Sequence, residues 1–391
     1  MKLFILMIVI ALTCYIQAAS CSRNKNHNIY DNSFDPRAYS DPGWKENDFD
    51  LNSLVDGALK TETALRRLYA MYKVTHGVTH GHHETVERTN LFKLYLQRLK
   101  ELEIDTSISW TPKITSMGHM TECEKNLLKM GNATHLESRL YSDQKTARKG
   151  KNNILQAPKL PESYDWRALN AVTPVKLQLA DDCWAYAAVT TIEAQIKTLG
   201  GKLRELSTQE LVDCVYREQG KRNQHPEGGG WPHHAYDHVK DEKRLGYRDD
   251  IFEREFTGSC SYQGAPNALE DNGVEIDEVL RIGHATAANV MAAVATISPV
   301  AVVIDTKDSD MEWYGEGSFD PRTSRCIPGE PHAVAIVGYD KDHFFIKNSW
   351  GPLWGNKGYF WWVRAPGKKD CNIYSTPSYP LIEKTSWWKR E

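Results

Sequence analysis

The chain has 391 residues, 41% of them hydrophobic and 25% charged, with a formal net charge of −3. That is too long for one ordinary domain, and the composition supplies a sizeable core. No basic excess points to nucleic acid, and beyond the N-terminus no stretch is long and apolar enough to span a membrane.

The chain opens with "MKLFILMIVIALTCYIQAAS": a lysine, an apolar run, then small residues at Ala18, Ala19 and Ser20. This reads as a cleaved secretory signal over residues 1–19. The shortness of the run argues against an uncleaved anchor helix. Export makes disulfides permissible. Of eight cysteines, Cys14 leaves with the signal, and Cys21, Cys123, Cys183, Cys214, Cys260, Cys326 and Cys371 remain. The odd number leaves at least one thiol without an intramolecular partner.

Residues 21 to about 50 are polar and read as irregular. From Leu51 to Glu103 apolar residues recur at helical spacing, interrupted by "HGHH". In the second half of this stretch Val86, Leu91, Leu94 and Leu99 are placed near one face. Residues 139–160 are basic and poor in core formers, a linker and a plausible proteolytic site, so a boundary is set near residue 158. Beyond it, Trp184 to Leu199 reads as a helix ended by Gly200-Gly201. "STQELVDC" reads as a short helix with Ser207 and Glu210 as a capping box. "PVAVVID", "HAVAIVGYD", "HFFIKNSW" and "GYFWWVR" are strand-like. Helices first and strands later indicate an α+β domain in two halves, with no internal repeat.

Cys183 falls at the start of the Trp184 helix, where free N–H groups and the helix dipole favour a thiolate. A histidine can complete an ion pair with it, and a third polar group can orient that histidine. His332 begins a strand-like segment and Asn348 ends another, just before Trp350. They lie 149 and 165 residues after Cys183, near the roughly 130–150 typical of cysteine–histidine–asparagine peptidases. Taken singly, each is an ordinary core or turn residue; the combination carries the signal.

At this point the chain resembles a papain-family cysteine peptidase precursor of the cathepsin L type. "SYDWRALNAVTPVKLQ" is similar to the mature N-terminal segment, "CWAYAAVTTIEAQ" to the nucleophile helix and "LSTQELVDC" to the helix after it. "GGGWP" resembles the glycine wall of the cleft, and "PHAVAIVGYD", "FFIKNSWGPLWGNKGYF" and "CNIYSTPSYP" the histidine, asparagine and C-terminal blocks. The likeness spans roughly residues 160–382. Upstream, Glu84, Arg88 and Phe92 match the start of the family's prosegment helix motif, with Tyr95 in place of Asn, Leu99 in place of Ile, and His119 where aspartate is usual.

The resemblance implies a papain-like two-lobed α+β catalytic domain over 159–391, with a helical lobe and a β-barrel-like lobe, preceded by a helical inhibitory prosegment over 20–158. It implies Cys183 as nucleophile, His332 as its partner and general acid, and Asn348 as the imidazole's hydrogen-bond partner under the shield of Trp350. Gln178 would be the oxyanion donor together with the Cys183 N–H. Gly229 and Gly230 would expose backbone to the substrate. Trp231, Pro232, Ala333 and Thr376 would line the pocket for the residue second from the scissile bond, with an apolar preference. The implied disulfides are Cys214–Cys260 and Cys326–Cys371. Polypeptide substrates, the chain's own prosegment and cystatin-like inhibitors are the implied partners of a monomer that needs no cofactor, metal, membrane or nucleic acid. No insertion after Gly228–Gly230 looks able to block the cleft, which favours endopeptidase action.

The sequence departs from the family at "QLADDC". Only four residues separate Gln178 from Cys183, one fewer than usual, and the loop cysteine and its partner before the glycines are both missing. Asp181 and Asp182 are read as helix caps that repair the shortened loop. The other readings are an altered pH optimum, a preference for basic substrate groups, or impaired activity, since nearby carboxylates disfavour a thiolate. His76, His80, His82 and His83 are candidates to loosen the prosegment on protonation. His233, His234 and His238 have no strong metal spacing. Asn132 heads a glycosylation sequon. The resulting expectation is a peptidase zymogen of the secretory pathway, lysosomal or extracellular. The alternative is a catalytically weak or inactive homologue that binds peptides or inhibitors in the same cleft.

Overall fold

The computed structural model describes residues 51–81, 84–129, 160–178, 180–215, 229–251, 258–260, 262, 264–282, 285–307, 309–323, 327–364 and 370–385. The signal, the irregular segment after it, His82, His83, Asn132, the linker and Cys326 lie outside these residues.

The N-terminal region is helical. α1 (Val55–Lys60) leads to α2 (Glu62–His76), which the Thr61 hydroxyl caps by accepting from Ala64 N, and which Gly77 ends in the left-handed region at φ 63°. α3 (Thr85–Glu103) packs on α2, with the Tyr72 and Phe92 rings 4.6 Å apart. Its buried face is Arg88, Thr89, Phe92, Tyr95, Leu96, Leu99 and Leu102. The expected face was partly wrong: Val86 and Leu94 are exposed. At about 100° per residue both project away from Phe92, while Leu96 and Leu99 project with it. β1 (Trp110–Pro112) follows, then α4 (Glu122–Leu127), opened by a capping box of Thr121 and Glu124.

Next come β2 (Tyr164–Asp165), α5 (Cys183–Thr198), α6 (Thr208–Cys214), α7 (Pro232–Glu242), α8 (Ala268–Asp271), β3 (Val274–Arg281), α9 (Ala287–Thr296) and β4 (Val300–Lys307). β5 (Tyr314–Phe319), β6 (Ile327–Tyr339), β7 (His343–Lys347), β8 (Tyr359–Val363) and β9 (Ser378–Lys384) complete the chain. α5 is buried on all sides from Cys183 to Ile196 and forms the central element. Gly200, at φ 89°, follows its end as expected. Ser207 caps α6 by accepting from Glu210 N, but the expected capping box is only half formed. The Glu210 carboxylate instead takes the N–H of Gly246 and the guanidinium of Arg244.

The strands form one sheet in the order β1-β5-β8-β7-β6-β4-β9-β3, with β2 on β6. The pairings are antiparallel except β5 with β8. β4 shows why two cores flank it. Val300, Val302 and Ile304 enter the sheet-side core with Trp350 and Trp354, while Ala301 and Val303 enter the helical core with Trp184 and Tyr236. The N-terminal region has its own core around Tyr72 and Phe92. It also sends Leu102, Trp110, Met117, Met120 and Leu128 into the sheet-side core and adds β1 to the sheet edge.

Cys214–Cys260 is formed. Cys371 and Cys123 are also disulfide-bonded. Cys183 is the one free cysteine among the described residues.

Candidate active site

Local backbone pairing brings four separate segments together. Cys183 is the first residue of α5, and its Sγ accepts the Ala333 N–H at 3.4 Å. His332 and Ala333 lie in β6, opposite Ile304 and Val303 of β4. Asn348 directly follows β7, its N–H held by the Gly358 carbonyl. Gln178 is placed by a short antiparallel match: Leu177 bridges Trp350, Gln178 N donates to Ser349 O at 2.8 Å, and Gly351 N donates to Lys176 O at 3.0 Å.

His332 Nε2 donates to Asn348 Oδ1 at 2.7 Å, and Ser349 N donates to the same oxygen at 2.8 Å. The Ser349 N–H can only donate, which identifies that atom as the amide oxygen, and an oxygen facing Nε2 assigns the imidazole proton to Nε2. Nδ1 is left as the basic nitrogen, with no partner in good hydrogen-bond geometry, although the Leu128 backbone lies near enough to the ring to act on it. The Trp350 ring stacks on the imidazole with centroids 4.6 Å apart and is itself fully buried. The indole thus covers one face of the imidazole, where a shield for the histidine–asparagine bond is expected from the sequence.

Gln178 is completely buried. Its Oε1 accepts the Ser349 hydroxyl at 2.5 Å, which turns the NH2 group the other way. Nε2 then donates to Leu128 O at 3.1 Å and to Ala180 O at 2.8 Å. The second bond comes from the shortened loop itself: the loop's carbonyl orients the amide. Trp350 Nε1 donates to the same Leu128 carbonyl at 3.2 Å.

Burial pushes the Cys183 thiol up; the Ala333 N–H opposes this, and the Asp182 and Asp181 carboxylates add to it. Burial pulls His332 down to about 4, with the Asn348 bond and the Leu128 backbone opposing and the Lys129 ammonium assisting. In this covered state both shifts favour a neutral thiol and a neutral imidazole over the ion pair.

Asp181 and Asp182 are both buried. The expected capping by Asp182 does not occur: it occupies the N-cap position of α5 without a side-chain cap bond. Its backbone, at φ −108° and ψ 13°, is not in the extended conformation that aims a capping side chain at the first turn. Its carbonyl takes the Ala185 N–H instead.

Among the pocket residues, Trp231 and Ala333 share one buried cluster with Cys183. Gly229 and Gly230 are buried immediately before Trp231, and Pro232 is the first residue of α7. Thr376 is half-buried in the turn before β9. Sequence reasoning missed Ser349, which orients Gln178, although it stands inside the quoted "KNSW" block. It also missed Leu128, which carries no chemical signal because its backbone does the work.

Residues 160–381 match the family model described as papain family cysteine protease. Vignain of Phaseolus vulgaris is 31% identical over 345 residues, covering 86% of this chain and 90% of its own. Cathepsin K of Mus musculus is 29% identical over 347 residues, covering 85% and 98%. Among solved structures, the proform of the ragweed pollen cysteine protease Amb a 11 is similar with a TM-score of 0.66 and 26% identity, over 83% of this chain and 88% of that one. Digestive procathepsin L2 of Tenebrio molitor larval midgut has a TM-score of 0.68 and 25% identity, over 81% and 99%.

Proposed function

The chain belongs to the papain family of cysteine proteases, and from that premise we propose that it is a thiol-dependent endopeptidase made as an inactive zymogen. The single observation that carries this reading is the joint placement of Cys183, His332 and Asn348 beside a Gln178 amide whose NH2 holds a peptide carbonyl. Once the cleft is uncovered and hydrated, His332 Nδ1 takes the Cys183 proton. The thiolate attacks the substrate carbonyl carbon, and the developing oxyanion takes the place of the Leu128 oxygen on Gln178 Nε2, assisted by the Cys183 N–H. The imidazolium returns its proton to the leaving amine, and water then hydrolyses the thioester with His332 as base. Asn348 holds the ring orientation throughout. Trp231, Pro232, Ala333 and Thr376 would form the apolar pocket beside Gly229 and Gly230, whose backbone, buried in the intact chain, would become open to substrate once the cleft is uncovered.

The signal is assigned to residues 1–19, the prosegment to 20–158 and the mature enzyme to 159–391, with Cys326–Cys371 as a second mature bridge and Asn132 as a glycosylation site. Similarity to cathepsins and to a KDEL-tailed cysteine endopeptidase of Arabidopsis thaliana supports entry to the secretory pathway, with lysosome or extracellular space as destination. The runner-up, a weak or inactive peptide-binding homologue, draws on the shortened loop. Against it stands the Ala180 carbonyl, which holds Gln178 in a donor orientation.

The test is turnover of a fluorogenic dipeptide with an apolar residue before arginine, by the acid-activated chain in thiol from pH 4 to 8. Activity should vanish in Cys183→Ala and after an epoxide that alkylates active thiolates. A folded, prosegment-free protein with neither turnover nor alkylation would establish the runner-up.

A further inference from the structure

Leu128 offers its carbonyl to Gln178 Nε2 and Trp350 Nε1, and the residue after it, Lys129, forms an ion pair with Glu330. Glu330 stands on β6 two residues before His332. The β4–β6 register shifts just before Pro331, with Gly329 at φ 138°, so strand alternation does not fix the direction of Glu330; Lys129, which pairs with Glu330 and acts on His332, brings the two to one end of the cleft. The Lys129 ammonium lies close enough to His332 to disfavour its protonation. The Glu330 backbone is pinned by the Thr306 hydroxyl, which donates to its carbonyl at 2.9 Å. Among the described residues Lys129 is the only cation paired with Glu330. Removal of the N-terminal region therefore leaves a carboxylate in the cleft without its cation, beside the group that protonates the leaving amine.

We propose that Glu330 is a specificity determinant of the mature cleft, favouring a lysine or arginine of the substrate in the first or second position on the leaving-group side of the scissile bond. This rests on the peptidase reading above. Lys129 then previews the substrate's basic side chain, as Leu128 previews its carbonyl. The expected effect is modest, because Glu330 retains 28% side-chain exposure even under Lys129. A partly hydrated pair of this kind is worth about threefold to tenfold in affinity.

The experiment uses the acid-activated chain at about pH 6, above the ordinary carboxylate range. Internally quenched peptides of one sequence carry Lys, Ala or Glu at the first or second position after the cleaved bond. At one of these positions kcat/KM should favour Lys over Glu by about tenfold, and added salt should shrink the ratio. Glu330→Gln should bring the ratio close to one and Glu330→Lys should invert it. Alkylation of Cys183 in each variant reports that its site is assembled. Equal rates for Lys and Glu in the wild type, or an unchanged ratio in Glu330→Gln, would overturn the proposal and reduce Glu330 to a tether for the prosegment. Turnover of the Ala peptide would then still uphold the peptidase reading. No turnover of any peptide together with an unalkylated Cys183 would overturn both.

Discussion

The Leu128 carbonyl sits 3.1 Å from Gln178 Nε2 while Cys183 and His332, close by, are wholly shut off from water. In the mechanism proposed above, one backbone group thus occupies the place of the oxyanion, and the segment that carries it lies against the buried Cys183 and His332. In the zymogen proposed above, inhibition would have two parts, one steric and one electrostatic. The second follows from elementary solvation: a thiolate–imidazolium pair stripped of water gives way to its neutral form.

The electrostatic part predicts a silent thiol in the intact chain. Burial raises the Cys183 thiol and holds His332 near 4. Alkylation of Cys183 by iodoacetamide in the uncleaved protein should be slow and climb with pH by about tenfold per unit, as for a lone high-pKa thiol. After the N-terminal region is removed, the rate should rise sharply and flatten between pH 5 and 8 as the ion pair forms. Mass spectrometry of the tryptic peptide containing Cys183 measures both. A fast, pH-independent reaction in the intact chain would refute the neutral-pair description.

Gln178 and Ser349 are expected to separate in size of effect. Gln178→Ala removes the side-chain oxyanion donor and should lower kcat by about 10²–10³. Ser349→Ala leaves the donor but removes the 2.5 Å bond that turns it. About fivefold in kcat is expected, since one hydrogen bond of net worth near 1 kcal/mol no longer selects the rotamer, with the pH profile unchanged. If Ser349→Ala also shifted the pH profile, Ser349 would be acting on Asn348 and His332 rather than on Gln178.

Acid sensitivity of the N-terminal region should reside in His76 and His119. Both are buried, with His76 Nδ1 and His119 Nε2 unpaired, and both are held at about 3. Burial is the main cause for each. His76 also faces His119 and Lys113; His119 faces Arg88 and His80, with the Ser116 backbone opposing. Tyr72 links them, 4.5 Å ring to ring from His76 and bonded at 2.9 Å to His119 Nδ1. The unfolded chain binds these protons near pH 6.5 and the folded one only near 3, so stability is complete above about 6.5 and falls as pH drops through that window. The slope is about 1.4 kcal/mol per pH unit for each imidazole. Thermal unfolding of the intact Cys183→Ala chain from pH 7 to 4 should show this loss, and His76→Gln with His119→Gln should flatten it. Parallel curves would place the acid response elsewhere.

What was legible in the sequence was local chemistry. Cys183 at a helix start, His332 within a strand and Asn348 at a strand end each follow from patterns within a few residues. The buried face of α3 was misplaced because Val86 and Leu94 are apolar yet point outward, and apolar character alone does not reveal which face is covered. The Glu210 carboxylate left its capping role for Gly246 and Arg244, long-range partners that spacing does not show. β3 was missed because "VEIDEVLR" alternates charges with apolar residues at a half-covered edge. Leu128 was invisible for the deepest reason: the acting group is a main-chain carbonyl that every residue possesses.

The seam behind the nucleophile helix rests on Glu193, and this supplies the last prediction. Its carboxylate, in α5, takes Lys176 Nζ at 3.1 Å, the Thr173 hydroxyl at 2.6 Å and the Leu206 N–H at 2.8 Å. Lys347, directly before Asn348, donates to Thr173 at 3.1 Å; burial draws it down to about 8, with Glu193 as its largest support. Glu193→Leu would leave Lys176 and Lys347 with only the more distant Glu205 carboxylate, 4.0 Å from Lys176 Nζ, a loss of about 3 kcal/mol. Urea unfolding measures that loss. Adding Lys176→Met should recover much of it, because removing both members of a buried pair is close to neutral. If the double variant were as unstable as the single one, the cost would lie in packing around α5 and not in an unpaired charge. If Glu193→Leu cost nothing, the Glu205 carboxylate would be sufficient for both lysines, and the seam would not depend on Glu193.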